Sequence, residues 1–270
     1  MSLNGLEGIP NRDILHFNNK TNFTFNYLAV NNDVKYDGEI GLSLNYKDIQ
    51  NNIINQLYNQ KVISSPRYSL YISQNHSMLL LGDYTKEPEL VHINKLTSYC
   101  NSVNDKCDIT GISIYNKKLD IDSYIIFDTK MTSLSIPIAD YKIFKKYVFN
   151  YTECKINEES KVACIIPEDY NFPSFKLYIN DNMFNIDLNQ LANKVDSDYN
   201  YVLDIIVDMH NFDTWRLGTK ALNNTLLSYD LQNKKIGFVQ YANLEQVIYK
   251  LDVDEDEEPN KTGYVVSLAV

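Results

Sequence analysis

Short apolar stretches bounded by polar turns dominate the chain. Tyr68 to Ser73 alternates, Ser77 to Leu81 is almost continuously apolar, and the two read as strands joined by a polar turn. The same signal predicts strands over 109–115, 123–127, 174–179, 201–207, 225–230 and 236–240, with a last strand over 264–270. Helical spacing is rarer. Lys47 to Gln60 sets Ile49, Ile53 and Leu57 on one face. Pro137 to Val148 opens with proline at a first-turn position and carries Ile138, Tyr141 and Phe144 at near-helical spacing. A single helical turn is expected within 187–194. The pattern as a whole predicts a mostly β protein with a few short helices.

Composition narrows the function classes. The 270 residues suffice for one large or two modest domains, and 22% charged with 12% aromatic residues fits neither a disordered chain nor a coiled coil. A net charge of −10 argues against a nucleic-acid partner, which needs a basic face. No apolar run approaches the roughly 18 residues of a membrane span, so no transmembrane segment is expected. The start, Met1-Ser2-Leu3-Asn4, lacks the order of a signal peptide, which suits a cytosolic start or a mature or truncated chain.

The cysteines change the picture. Cys100 with Cys107, and Cys154 with Cys164, form two close pairs without metal-finger spacing. His16, His76, His92 and His210 make no local cluster with them, so neither a metal nor another cofactor is expected. Two disulfide-closed loops are the natural reading, with four buried thiols as the alternative, and disulfides persist in secretory compartments. Six Asn-x-Ser/Thr triplets, at Asn19, Asn22, Asn75, Asn150, Asn223 and Asn260, point the same way, although an Asn-rich chain produces several by chance. Asp252, Asp254 and Asp256 alternate like the start of a calcium loop. Glu257 sits where that loop turns on glycine and Gly263 where it needs its last acid, so a solvated acidic loop is expected.

One constellation carries most of the functional information. Ile125-Ile126-Phe127 delivers Asp128-Thr129, followed by Thr132-Ser133-Leu134 and Pro137. Ninety residues after Asp128 comes Gly218, closing Trp215-Arg216-Leu217-Gly218, and then Leu226 to Asp230 and Lys235 to Phe238. Earlier, Asp37-Gly38-Glu39-Ile40-Gly41-Leu42 ends in the same apolar-Gly way. Together these resemble the pepsin-like aspartic proteases, the family of pepsins and cathepsin D. Asp37 to Leu42 is similar to their Asp-Gly-Ile-Leu-Gly-Leu segment, and Tyr68 to Ser73 and Met78 to Asp83 to the strand and hairpin closing the first lobe. Phe127 to Pro137 aligns without a gap with the second-lobe Asp-Thr-Gly-Thr-Ser-Leu-Leu-Thr-Gly-Pro segment. Trp215 to Phe238 is similar to the Trp-Ile-Leu-Gly-Asp…Val-Gly-Phe ending.

The resemblance implies a bilobal acid-protease fold in which two aspartates share a proton and activate a water. It makes Asp128, with Thr129, the family's catalytic position, and Asp37, Gly38, Gly41, Trp215, Leu217 and Gly218 its structural motif. Two departures follow. The Asp-Thr-Gly turn has become Asp128-Thr129-Lys130, with Met131 in place of the next threonine, so both the close-approach glycine and a hydroxyl are lost. The ninety-residue spacing applied to Gly41 places its partner aspartate before Met1. Residues 1–36 hold only Asp13 and Asp33, neither in an Asp-Thr/Ser-Gly context, and no Tyr-Gly-Thr/Ser-Gly flap is found.

The expectation is therefore a pepsin-like fold lacking the first part of its N-terminal lobe. Residues 1–90 would be a partial N-terminal lobe, 91–240 the C-terminal lobe, its hairpins stapled by the two disulfides, and 241–270 an acidic extension with a final strand. As this chain it is expected to be inactive and to bind a peptide or protein segment between the lobes. A partner chain or self-association would cover the incomplete lobe. The alternative is the C-terminal portion of an active aspartic endopeptidase, with Asp128 as one of two catalytic aspartates; a third is a secreted structural β-protein. Location would be the secretory pathway, a lysosome- or vacuole-like compartment, or the exterior. Trp215 is expected in the core, His210 beside Asp208 to be incidental, and Lys145-Lys146 to lie on a solvated helix face.

Overall fold

The strands expected from alternation form, and shorter ones join them that alternation does not mark. The computed structural model describes residues 52–73, 77–82, 98–101, 105–149, 153–167, 170–180, 182–195 and 198–240, with Leu42 and the strand backbones at 2–3, 6–7, 9–16, 22–29 and 263–268. The expectations for Asp37, Gly38, Gly41, residues 47–51 and the acidic run 252–258 lie outside the described residues.

Four N-terminal strands, β1 (Ser2–Leu3), β2 (Leu6–Glu7), β3 (Ile9–His16) and β4 (Asn22–Ala29), pair as two antiparallel ladders. Next come β5 (Arg67–Ile72), β6 (Ser77–Gly82), β7 (Ser98–Asn101), β8 (Cys107–Ile114), β9 (Lys117–Leu119), β10 (Ser123–Phe127) and β11 (Leu134–Pro137). They are followed by β12 (Glu153–Ile156), β13 (Lys161–Ile165), β14 (Ser174–Ile179), β15 (Asn182–Asp187), β16 (Ala192–Lys194) and β17 (Tyr201–Asp208). The last are β18 (Thr214–Leu217), β19 (Thr225–Asp230), β20 (Lys235–Gln240) and β21 (Gly263–Leu268).

Among the described residues an eleven-stranded sheet runs β12-β13-β17-β11-β18-β10-β8-β14-β15, with β16 on β17 and β9 on β8. A six-stranded sheet runs β21-β6-β5-β19-β20-β7 and so draws strands from both sides of residue 90 and of residue 240. Alternate residues of β10, β14 and β17 are buried, as a sheet with one core face requires. β19, between β5 and β20, is buried along its whole length.

Two helices are described. The first, α1 (Ile53–Asn59), is capped by Asn52, whose side chain accepts from the Ile54 N–H at 2.9 Å, and it buries Ile53, Ile54 and Leu57. The second, α2 (Ile138–Val148), begins directly after Pro137, the last residue of β11, and buries Asp140, Tyr141, Phe144 and Val148. The turn expected within 187–194 is a 3-10 turn over Leu188–Leu191, after which β16 begins. Asp187 caps its start by accepting from the Asn189 N–H.

One apolar core spans both sheets. Phe127 of β10 meets Phe184 of β15 and Phe238 of β20 at ring distances of 5.9 and 6.1 Å, and Phe184 meets Phe238 at 5.4 Å. Both cysteine pairs are disulfides. Cys154–Cys164 joins directly opposed residues of the β12–β13 hairpin, as expected. Cys100–Cys107 does not staple a hairpin of one sheet. It links β7 of the six-stranded sheet to β8 of the eleven-stranded sheet, because the chain changes sheets between them.

The six-stranded sheet also carries a pH-dependent contact. Asp230 sits opposite Arg67 in the β19–β5 ladder, 2.7 Å from its guanidinium, and accepts from the side chain and backbone of Asn233. Burial pushes its carboxyl up, but the Asn233 hydrogen bonds and then Arg67 outweigh it, and the net shift is downward. The stability this adds is fully present above the unfolded carboxyl's range and is lost as pH falls through the lower, folded value. Thermal melts should show the chain losing stability below about pH 4, and Asp230→Asn should flatten that fall while costing stability at pH 7. Superimposable pH profiles for the two proteins would refute the assignment.

Candidate functional site

The site is built where two parallel strands end side by side. β10 runs parallel to β18, with Ile125 beside Trp215 and Phe127 beside Leu217, and the Asp128 N–H continues the ladder to the Leu217 carbonyl at 2.9 Å. Asp128 then turns the chain. Its Oδ1 accepts from the Lys130 N–H at 3.1 Å and its carbonyl from the Met131 N–H at 3.2 Å. Residues 131–133 cross over Gly218, and the chain returns as β11 along the other side of β18, antiparallel to it. One strand is thus flanked by both arms of the Asp128 turn.

Gly218 makes the crossing possible. Its N–H donates to the Ser133 carbonyl, the Thr219 N–H to that of Met131 and the Lys220 N–H to that of Thr132, at 3.0, 2.8 and 3.2 Å. A Cβ on Gly218 would lie 2.3 Å from the Ser133 oxygen, inside van der Waals contact.

Trp215 is fully buried, against Phe144 and Phe175. Its Nε1–H donates to Asp140 Oδ2 at 2.7 Å, and the Ser123 hydroxyl donates to the same oxygen at 2.6 Å. Asp140, which the sequence pattern does not single out, therefore ties α2 to the starts of β10 and β18.

Asp128 itself is one-fifth exposed. Its Oδ2 lies 3.6 Å from Nη1 of Arg216, which is about half exposed. Arg216 is the site residue that sequence reasoning passed over, although a signal was present: it occupies the isoleucine position of the Trp-Ile-Leu-Gly segment it resembles. Ser135 of β11 pairs with it in the ladder. Thr129 and Lys130 are exposed and Met131 is half-buried, so none of the three is a core residue. His210 is exposed; its backbone N–H, not its ring, is held by Asp208 Oδ1.

The Asp128 turn also faces the six-stranded sheet. Tyr229 of β19 stacks on Tyr68 of β5 with rings 4.6 Å apart, and the Tyr68 hydroxyl donates to the Leu42 carbonyl at 2.7 Å. Burial first, then the charges of Asp105 and Asp128, raise the Tyr229 hydroxyl's pKa. The end of the Asp37–Leu42 segment, the tyrosine pair and Asp128 are thus brought to one region from three parts of the sequence. Among the described residues no group of three or more His, Cys, Asp or Glu is placed to hold a metal ion.

A strand-turn-strand arrangement that carries Asp-Thr under an apolar-Gly turn, on a mostly β protein, defines a pepsin-like aspartic protease scaffold. The chain belongs to the eukaryotic aspartyl protease family, whose model matches residues 7–241. Among solved structures it is similar to basic 7S globulin from soybean, at 13% identity and a TM-score of 0.57, and to conglutin gamma, a basic 7S globulin from lupine seeds, at 14% and 0.55. Each likeness covers 73% of this chain, and the chain spans 56% of the length of each of those structures. Comparison with curated protein sequences gives no match.

Proposed function

We propose that this chain is a non-catalytic member of its family that uses the scaffold to hold an extended peptide or protein segment. The observation that carries this reading is the setting of Asp128. The family's chemistry needs two carboxylates sharing one proton. Here a half-exposed guanidinium, not a second carboxylate, stands 3.6 Å from Asp128, and Lys130 replaces the turn's glycine. The 270 residues contain no Asp-Thr-Gly or Asp-Ser-Gly to serve as a second site.

The binding half of the proposal rests on what surrounds Arg216. With Ile126, Lys106 and Asn211 it lines a hollow of about 250 Å³, and exposed Met209 and Phe212 stand in the adjacent turn. An extended segment laid across this face would find both apolar and charged contacts. In this reading residues 1–90 and 91–240 supply the two lobes and meet in the six-stranded sheet, where β7, β19 and β20 join β5 and β6, and the disulfides suit a secretory or extracellular location.

The chain should show no pepstatin-sensitive cleavage of fluorogenic peptides between about pH 3 and 6, the range in which a carboxylate dyad works. Peptides selected from a displayed library for binding should bind the Arg216→Glu variant about tenfold more weakly. Pepstatin-sensitive turnover that disappears in Asp128→Asn would instead establish Asp128 as a working catalytic aspartate. Selected peptides indifferent to Arg216→Glu would remove the binding face from consideration.

A further inference from the structure

A second concavity among the described residues lies away from Asp128 and is larger than the hollow beside Arg216. It lies at the β12 end of the large sheet, with β13, β17, β11 and β18 between it and β10. The C-terminal half of α2 and the β12–β13 hairpin enclose a groove of about 700 Å³. Lys142, Lys145 and Lys146 line it from the helix and Lys155 from β12, and Glu153 is the one carboxylate among its described lining residues. Its apolar lining is Phe149, Cys154 and Ile165, the last 47% exposed, with Tyr199 beside them.

The charge of this groove runs against the rest of the molecule. Among the described lining residues four lysines and one glutamate leave an excess of three positive charges, in a chain whose net charge is −10. Among the described residues none of the four lysines meets a carboxylate at ion-pair distance. Lys155 lies over the Tyr199 ring at 4.7 Å and Lys146 over Tyr147 at 5.6 Å, where Lys117 brings a further cation at 4.6 Å.

Helix physics does not account for the cluster. Lys142 is three residues from Lys145 and four from Lys146, so the three repel along one helix face. The macrodipole favours cations only in the last turn, which includes Lys145 and Lys146 but leaves Lys142 and Lys155 unexplained. Solubility does not account for it either, since the net negative charge already keeps molecules apart.

We propose that this groove binds an acidic, extended peptide segment of a partner protein that carries at least one apolar side chain. The lysines match its carboxylates, and exposed Ile165, with half-buried Tyr199 beside it, gives the apolar side chain a surface to cover. A sulfated glycan would satisfy the lysines and leave that surface unused.

The test is fluorescence anisotropy of a labelled heptapeptide, Glu-Asp-Glu-Leu-Glu-Asp-Glu, titrated with the full chain at roughly 50 mM salt, where surface charge is weakly screened. Saturable binding is expected, weakened about tenfold by the paired changes Lys142→Glu and Lys155→Glu, both at exposed positions. Ile165→Ser should weaken the peptide about threefold and leave a heparin-derived decasaccharide unaffected. Unchanged thermal melts of the variants would tie these losses to the groove. No anisotropy change up to about 1 mM chain, beyond which binding is negligible, would overturn the proposal. Equal affinity for the doubly reversed variant would do the same. Indifference of the peptide to Ile165→Ser, with tighter decasaccharide binding, would replace the peptide with a polyanionic glycan.

Discussion

Gly218→Ala should cost about 3–5 kcal/mol of folding stability, a loss large enough to leave much of the chain unfolded at ambient temperature. The new methyl group would lie 2.3 Å from the Ser133 oxygen, 2.7 Å from the Met131 oxygen and 2.8 Å from the Thr132 carbonyl carbon. All three are backbone atoms, so no rotamer change relieves the overlap. Relief requires residues 131–133 to lift away, and that same backbone accepts the N–H groups of Gly218, Thr219 and Lys220. Each lost bond adds roughly 1 kcal/mol to the strain. Gly111→Ala is the milder comparison, because its Cβ would meet the movable end of Lys118 at 3.0 Å and the Leu119 carbonyl oxygen at 3.1 Å, a few tenths of an ångström too close rather than a full overlap, and it should cost about 1–2 kcal/mol. Urea titrations followed by Trp215, the single tryptophan, read both. Equal midpoints for the two variants would mean that the crossing over Gly218 is not as tight as described.

Asp140→Ala should cost about 2–4 kcal/mol, since it removes the acceptor of two buried donors, Trp215 Nε1 and the Ser123 hydroxyl. Asp140→Asn, which keeps one acceptor oxygen, should cost less. Trp215→Phe deletes one donor, so in the double variant the Asp140→Ala penalty should fall by about 1 kcal/mol or more. Strict additivity in this cycle would show that the bond contributes nothing beyond packing. Because Asp140 joins α2 to the strand pair that delivers Asp128, the variant tests the scaffold without touching the site.

Much of the architecture is legible in the residue pattern. The strands at 123–127, 174–179 and 225–230 form with the bounds that alternation predicts, because each is long enough to show its period and stops at polar turn residues. β11 and β18, four residues each, are not marked by alternation. Their strand character comes from partners distant in sequence: β11 is held by β17 and β18, and β18 by β10 and β11. The helix around 53–57 is likewise readable from its apolar face, and Asn52 sets its start through a cap that spacing alone does not reveal.

The site divides in the same way. By itself the sequence determined the family, the Asp128-Thr129-Lys130-Met131 turn with its lost glycine and hydroxyl, and the close cysteine pairs, because these are identities in a local order. Only the tertiary structure decided that Arg216 stands beside Asp128, that Asp140 anchors Trp215, and that Cys100–Cys107 joins two sheets. It alone gathers four lysines around one groove. Each of these depends on which strands lie side by side and which way their side chains point, and pairing between distant segments is set by burial of the whole core rather than by any local pattern.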